Sequence, residues 1–172
     1  QPALVLVAVG ESNLPATLDS IPDQWKPSLS LLQNELLPQD WLNKNLKDPT
    51  IISVWFEKKP GQDFKVLVPS PIFGPKAAIL IEALSTLNIP TYHASDNNEL
   101  LFELVRKNMY ILTTNICGLE TGSSVYQLKK NHAELMHRVF DDILLIQQHL
   151  TATQFDAEKL MNAMLDAFKG DP

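Results

Sequence analysis

The sequence predicts an α/β fold over residues 1–95, followed by an all-helical fold over residues 96–172. Three observations indicate this division. Continuous apolar runs rich in branched side chains recur through the first part, as in strands buried on both faces. Segments with helical spacing separate those runs. Strand signals then end near residues 95–98, and the remaining segments all have the apolar period of a helix.

The predicted strands are short apolar runs that end at polar residues, Gly or Pro. The first is ALVLVAV, which Gly10 ends, and the second is SLSLLQN at residues 28–34. A third and a fourth are TIISVWFEKK at 50–59 and DFKVLVPS at 63–70, and a short fifth is IPTYHAS at 89–95. Since such runs are typical of strands buried on both faces, we expect a largely parallel sheet.

Three helices are expected between these strands and three after them. The first set comprises NLPATLDSI with Pro15 in its first turn, PQDWLNKNL before Pro49, and GPKAAILIEALSTLN at 74–88. The second set comprises residues 97–119, 131–150 and 156–170, separated by polar caps and Gly or Thr.

Composition narrows the class of protein. The 172 residues are 45% hydrophobic and 20% charged, which is ordinary for a globular protein. The net charge of −6 argues against a general nucleic-acid binder, which needs a basic surface. No apolar run approaches the ~20 residues of a membrane helix. The single Cys117 rules out an internal disulfide and fits a reducing, cytoplasmic location.

The α/β part lacks the glycine-rich turn of a complete dinucleotide-binding domain. No G-x-G-x-x-G pattern occurs, and the lone Gly10 after the first strand does not replace it. The chain also starts without Met and opens directly on a strand. We therefore expect a fragment or a processed chain that contains half of a Rossmann-type sheet.

Two strand ends are candidate ligand-binding positions, namely Gly10–Ser12 and Gln33–Asn34. In open parallel sheets, ligands bind beyond the carboxyl ends of the strands. The alternative is that Asn34 only starts a turn, as Asn often does.

The segment ELVRKNMYILTTN, residues 103–115, raises a similar choice. Because each helical residue advances by about 100°, Lys107, Ile111 and Asn115 form one row. Lys107 either belongs to a polar site or pairs with Glu103 on the surface. Asn115 is flanked by apolar residues, so it is either a buried structural amide or a ligand contact.

Other constellations predict no chemistry. His132 and His137 are five residues apart and point away from each other on a helix, so no metal site is expected. Asp141 and Asp142 are adjacent and read as a solvated helix face. Neither a G-x-S-x-G elbow nor a phosphate-binding loop occurs.

Taken in order, ALVLVAV, SLLQN and ELVRKNMYILTTN resemble the 2-dehydropantoate 2-reductase (ketopantoate reductase) family over nearly the whole chain. The resemblance implies a Rossmann domain that binds NADP(H), followed by a helical domain like that of 6-phosphogluconate dehydrogenase. The substrate implied is a 2-keto acid bound between the two, and a homodimer and a cytoplasmic location are expected.

The resemblance also implies site residues. Lys107 matches the family lysine that acts as general acid, Asn115 matches an asparagine that binds substrate, and Asn34 matches the strand-end asparagine near the cofactor. A positioned ammonium suits this reaction, because hydride addition to a carbonyl develops an alkoxide that the ammonium stabilises and protonates.

Three positions depart from the family pattern. Gly10 stands where the family often has a lysine, Glu35 where it usually has glycine, and Ile111 where it often has a second asparagine. The resemblance with these departures implies a divergent member, which we do not expect to catalyse the reaction as this chain alone. The alternative is a non-catalytic dimerisation or interaction module derived from the same fold.

Overall fold

The structure, a computed structural model, describes residues 2–170. The chain forms two compact units that divide between Leu104 and Val105. This division lies within a long helix, whereas the predicted domain boundary at residue 95 precedes that helix.

A five-stranded sheet forms the centre of the first unit. Along the chain, the strands are β1 (Val5–Val7), β2 (Leu29–Leu31), β3 (Thr50–Ile52), β4 (Phe56–Lys58), β5 (Phe64–Val66), β6 (Ser70–Phe73) and β7 (Thr91–His93). The sheet has the strand order β1-β2-β3-β6-β7, and β4 pairs with β5 separately. Every residue of β2 and β3 is buried, as their apolar runs predict.

The sheet is largely parallel, as the strand runs predict, but it contains one antiparallel pair. The pairs β1–β2, β2–β3 and β6–β7 are parallel, but β3 and β6 are antiparallel. The reversal follows from a hairpin between them, formed by β4 (Phe56–Lys58) and β5 (Phe64–Val66). The predicted strand 50–59 is therefore two strands, and the predicted strand 63–70 ends where β6 begins.

Three short helices accompany the sheet: α1 (Leu14–Ser20), α2 (Pro38–Leu42) and α3 (Ala77–Ser85). Pro occupies the first turn of α1 and of α2, where its missing N–H leaves no bond unmade. Leu14, Leu18 and Trp41 pack with residues of β1, β2 and β3 in one buried cluster. A smaller cluster contains Ala77 and Leu80 of α3 with Ile52 and Ile72.

Gly74 connects β6 to α3 at a point where two backbones nearly touch. Its φ is +125°, which side-chain-bearing residues rarely adopt. A Cβ at this position would lie 2.7 Å from Thr50 Cα and 2.9 Å from the carbonyl oxygen of Pro49. The Thr50 hydroxyl oxygen also accepts a hydrogen bond from the Lys76 N–H at 2.8 Å, so the junction fixes the start of α3 against β3.

Four helices follow the sheet: α4 (Asn97–Thr121), α5 (Val125–Asn131), α6 (Ala133–Thr151) and α7 (Ala157–Phe168). Asp96 Oδ1 accepts from the N–H groups of Asn98 and Glu99 and so caps α4. Leu100 and Leu104, at the start of α4, belong to the main cluster of the first unit.

Helix α5 is absent from the sequence prediction. Its start is a capping box in which the Gln127 side chain accepts from the Ser124 N–H at 3.2 Å. The S-x-x-Q spacing is the signal that could have identified it.

The second unit, from Val105 onward, buries Met109, Met136, Phe140, Leu160 and Met164. Cys117 is also completely buried, and this burial raises the pKa of its thiol. These side chains come from α4, α6 and α7, so the core of the second unit consists of helix–helix contacts.

Two polar contacts join the helices of the second unit. Asn108 Nδ2 on α4 donates to Gln147 Oε1 on α6 at 3.0 Å, and both side chains are buried. Arg106 Nε donates to the carbonyl oxygen of Ala163 on α7 at 2.9 Å. Because buried polar groups are costly without partners, these bonds fix the pairing of the helices as well as contributing to stability.

We expect Gly74→Ala to lower the free energy of unfolding by more than about 2 kcal/mol, since it adds a backbone clash to a strained φ. Chemical denaturation monitored by circular dichroism measures this. Gly61→Ala is the matched control: its φ is +76° but nothing lies within 4 Å of the added Cβ, so about 1 kcal/mol is expected. Equal losses in the two variants would contradict the close approach at Gly74.

We expect Gln147→Ala to lower the free energy of unfolding by about 2–4 kcal/mol, because it leaves a cavity and removes a buried hydrogen-bond partner of Asn108. Gln154→Ala, at an exposed position, should stay within about 0.5 kcal/mol of the parent. Urea denaturation of each variant and of the parent chain measures both changes in the free energy of unfolding. A loss at Gln147 no larger than that at Gln154 would show that the pair contributes little.

Candidate functional site

The carboxyl ends of β1 and β2 lie side by side, because the strands are parallel and Val7 is in register with Leu31. Gln33 lies two residues beyond β2. Its Nε2 donates to the carbonyl oxygen of Val7 at 2.7 Å, and the side chain is 6% exposed. Gln33 Oε1 is buried without a hydrogen-bond partner among the described residues. The two strand ends are thus joined by one side chain.

Asn34 and Glu35 form the turn that follows, and both are exposed. Glu35 has a φ of 55°, in the left-handed region that glycine adopts at little cost. The backbone therefore has a glycine-like conformation at Glu35, the position where the family that the sequence resembles usually has glycine. Leu36 and Leu37 then return to buried positions, so only the two turn residues project outward.

This turn forms one wall of a pocket of about 480 Å³ in the first unit. Residues from α1 and the turn before it, from the end of β2 and from α2 line the pocket. The charged lining residues are Glu11, Glu35, Asp40 and Lys44, and the polar ones include Gln33 and Asn34. The predicted site at the strand ends thus coincides with a pocket that contains Asn34.

The pocket is acidic. Burial raises the pKa of Glu11, and the charges of Glu35 and Asp40 raise it further. Burial likewise raises the pKa of Asp40, against the opposing effect of the Leu37 N–H, which donates to Asp40 Oδ2 at 2.7 Å. Glu11 lies in the predicted strand-end segment Gly10–Ser12, whereas Asp40 is not predicted from the sequence, because it belongs to α2 and not to a strand end.

Lys44 is the one cation among the lining residues, and it is already paired. Its Nζ lies 2.7 Å from Asp19 Oδ2 in a salt bridge. The positive charge of Lys44 is therefore balanced by Asp19.

In the second unit, Lys107, Ile111 and Asn115 lie on successive turns of α4, as predicted. Lys107 is half-buried, with Nζ 5.8 Å from the centre of the Tyr110 ring. This geometry is a cation–π contact, which stabilises the ammonium form. Ile111 is half-buried between the two polar residues.

Asn115 is exposed, which removes the alternative of a buried structural amide at this position. That structural role falls instead to Asn108, which pairs with Gln147 in the core. The sequence leaves the role of Asn115 open between a structural amide and a ligand contact, and it does not single out Asn108 as the buried amide.

Structural comparison places this fold among known proteins. D-mandelate dehydrogenase in complex with NADH matches with a TM-score of 0.67 at 15% identity, over 98% of this chain and 59% of that one. A probable 2-dehydropantoate 2-reductase from Bacillus subtilis matches with a TM-score of 0.66 at 15% identity, over 98% and 60%. A dimeric ketopantoate reductase from Staphylococcus aureus gives 0.63 at 14% identity, over 99% and 59%.

No protein-family model matches the sequence, and no curated protein sequence matches it. At these identities the structural likeness establishes the fold. The chain therefore has the fold of the ketopantoate reductases, with part of a Rossmann-type sheet followed by a helical unit, and the predicted fold class is confirmed. It spans about three fifths of the length of these structures.

Within residues 2–170, no three Asp, Glu, His or Cys side chains gather in a way that could bind a metal ion. Over the same residues, no helix has both the length and the apolar character needed to cross a membrane.

We expect Glu11→Gln to raise the free energy of unfolding at neutral pH by a few tenths of a kcal/mol, since it removes a charge that burial and two carboxylates disfavour. Because the folded-state pKa is raised, the charged carboxyl destabilises the fold above that pKa, and this cost disappears as the pH falls through it. The stabilisation by the mutation should therefore shrink in acid.

Melting temperatures measured from pH 7.5 to pH 4.5 test this dependence. Glu82→Gln, at an exposed position on α3, is the control and should shift little at any pH. A Glu11→Gln variant that is less stable than the parent at neutral pH would contradict the repulsion described here.

Proposed function

We propose that this chain is part of an oxidoreductase that reduces a 2-keto acid with NADPH, in which Lys107 is the general acid. The observation that carries the proposal is the fold shared with ketopantoate reductases and with D-mandelate dehydrogenase, together with a half-buried lysine in the row on α4. The structure of the dehydrogenase contains NADH, which supports a nicotinamide cofactor for this fold.

The bound nicotinamide would supply the hydride. The chain's own residues would stabilise and protonate the carbonyl oxygen and orient the ligands. As the carbonyl carbon accepts hydride, negative charge develops on the carbonyl oxygen. The Lys107 ammonium would stabilise that oxygen and transfer a proton to it. The Tyr110 ring beside Nζ favours the protonated lysine, which is the form that a general acid needs.

Asn115 and Asn34 would orient the ligands. Both amides are exposed and so can donate and accept hydrogen bonds with a bound molecule. Asn115 would hold the 2-keto acid from the same helix as Lys107. Asn34 would lie at the nicotinamide end, at the carboxyl end of β2.

The acidic pocket beside Asn34 suits the uncharged carboxamide of a nicotinamide and disfavours phosphate, since Glu11, Glu35 and Asp40 would repel an anion. The 172 residues contain no glycine-rich phosphate-binding turn, so the proposed activity belongs to the longer protein. We propose that this protein is cytoplasmic, in keeping with its single buried cysteine.

A second candidate, a dimerisation or interaction module, is favoured by exposed apolar side chains in the second unit. Leu119 is 89% exposed, and Leu145 and Ile146 on α6 are also exposed. Exposed apolar side chains of this size favour association. The Staphylococcus aureus enzyme with the same fold is dimeric, which supports a homodimer in either case.

We expect Lys107→Met in the full-length protein to lower kcat for ketopantoate reduction by about 10²–10⁴-fold, because the general acid is lost. Affinity for NADPH should stay unchanged, as should the circular dichroism spectrum. Stopped-flow fluorescence of NADPH and steady-state assays measure these quantities.

Lys129→Met, which replaces an exposed lysine on α5, should retain full turnover. Equal turnover in the parent and in Lys107→Met would remove Lys107 from the mechanism. A full-length protein that forms a stable dimer but neither binds NADPH nor reduces ketopantoate would favour the interaction module.

A further inference from the structure

The outer face of α6 carries a row of residues with the spacing of a coiled-coil seam. The row advances by steps of three, four, three and four residues through Leu135, Arg138, Asp142, Leu145 and His149. Leu135 is half-buried, and the other four are exposed. Residues with this spacing lie on one side of a helix and are what one helix presents to another. The row is therefore a candidate surface for a further helix.

An apolar recess lies beside the first turns of this row. It has a volume of about 560 Å³ and is lined by Ile116, Leu119 and Glu120 of α4 and by Leu135 and Arg138 of α6. The side chain of Ile116 is 46% exposed and that of Leu119 is 89% exposed. Exposed apolar side chains that gather in one place favour association, so the recess can receive an apolar side chain from another molecule.

Two apolar side chains project from the other end of the row. Leu145 is 66% exposed, and Ile146 beside it is 53% exposed. Leu145 lies ten residues beyond Leu135, which is about 15 Å along a helix. The face thus has a recess at one end and apolar projections at the other, so it offers both halves of one contact.

We propose that this face binds a second copy of itself, with the two α6 helices antiparallel about a two-fold axis level with Phe140. Positions equally far from 140 then face each other, so Leu145 of the second copy enters the recess beside Leu135. The second copy's recess receives Leu145 in return. A two-fold interface requires this reciprocity, because the same patch serves both subunits.

The charges of the row favour the same arrangement. The axis that pairs Leu135 with Leu145 also places Arg138 opposite the second copy's Asp142, and Asp142 opposite its Arg138. Within residues 2–170, neither side chain has an ion-pair partner. Two parallel α6 helices would instead bring like charges together at both positions. Because complementary charges fix the register of an interface, the antiparallel pair is favoured.

This inference deepens the homodimer of the proposed function by naming its face and register, and it rests on that homodimer rather than on the reductase. Its residues do not include Lys107, Asn115 or Asn34. A dimer that the variants below leave intact would overturn this face, although a homodimer through another surface would stand. Turnover with NADPH is measured separately from association.

Sedimentation equilibrium of the 172-residue chain tests the face. We expect the parent to dimerise, and Leu145→Glu should raise the dissociation constant at least about 100-fold, since it brings a carboxylate into the apolar recess. Leu87→Glu is the matched control: Leu87 is 58% exposed in the first unit, and its variant should dimerise like the parent. A monomeric parent, or equal dissociation constants in the two variants, would overturn the proposal.

A charge exchange tests the pairing of Arg138 with Asp142. Arg138→Asp alone and Asp142→Arg alone should each weaken the dimer about tenfold or more, because each places like charges opposite one another twice. The double variant Arg138→Asp/Asp142→Arg should recover the affinity of the parent, since it restores two pairs of opposite charge. A double variant that is as weak as the single ones would contradict the pairing.

Cross-linking tests the register directly. We expect a mixture of Leu135→Cys and Leu145→Cys chains to form a disulfide-linked heterodimer under mild oxidation, because the antiparallel register brings these positions together. Leu145→Cys alone should not cross-link, since its two copies would be about 15 Å apart along the helices, beyond the reach of a disulfide. Cross-linking of Leu145→Cys with itself, and not with Leu135→Cys, would overturn the antiparallel arrangement.

Discussion

The first unit depends on one buried hydrogen bond, from the Gln33 amide nitrogen to the carbonyl oxygen of Val7. It joins the ends of two parallel strands at the point where their backbone ladder stops. With Gln33 fixed there and Leu36 packed in the core, the intervening residues must turn outward, and Glu35 adopts a left-handed conformation to do so. The exposed positions of Asn34 and Glu35 follow from this geometry.

Local pattern predicted most of the elements, but it did not predict their pairing. Continuous apolar runs located β1, β2 and β3, and helical spacing located α4, α6 and α7. The run at 50–59 predicts one strand because it stays apolar through Trp55, which is fully buried. There the Trp55 N–H donates to the Ser70 hydroxyl oxygen, and its carbonyl oxygen accepts from the Leu67 N–H. Those partners are distant in sequence, and no periodicity reveals them.

The candidate site shows the same limit. Asn34 could be placed from the rule that ligands meet the ends of parallel strands. The same rule includes Glu11, in the segment Gly10–Ser12, but it does not include Asp40, which reaches the pocket from α2. On α4, each of Asn108 and Asn115 has one polar and one apolar neighbour in the sequence, so local pattern does not tell them apart. The packing of α6 against α4, with Gln147 opposite Asn108, decides which one is buried.

Cys117 gives the second unit a built-in reporter of its own opening. Only the thiolate reacts with disulfide reagents, and burial both shields this thiol and raises its pKa. Modification must therefore wait for α4 to separate from its neighbours. The rate of labelling by a disulfide reagent in native buffer then measures how often the helical core opens. No engineered cysteine is needed, and the sheet contributes no signal. The single cysteine of the chain therefore reports the opening rate of the second unit alone.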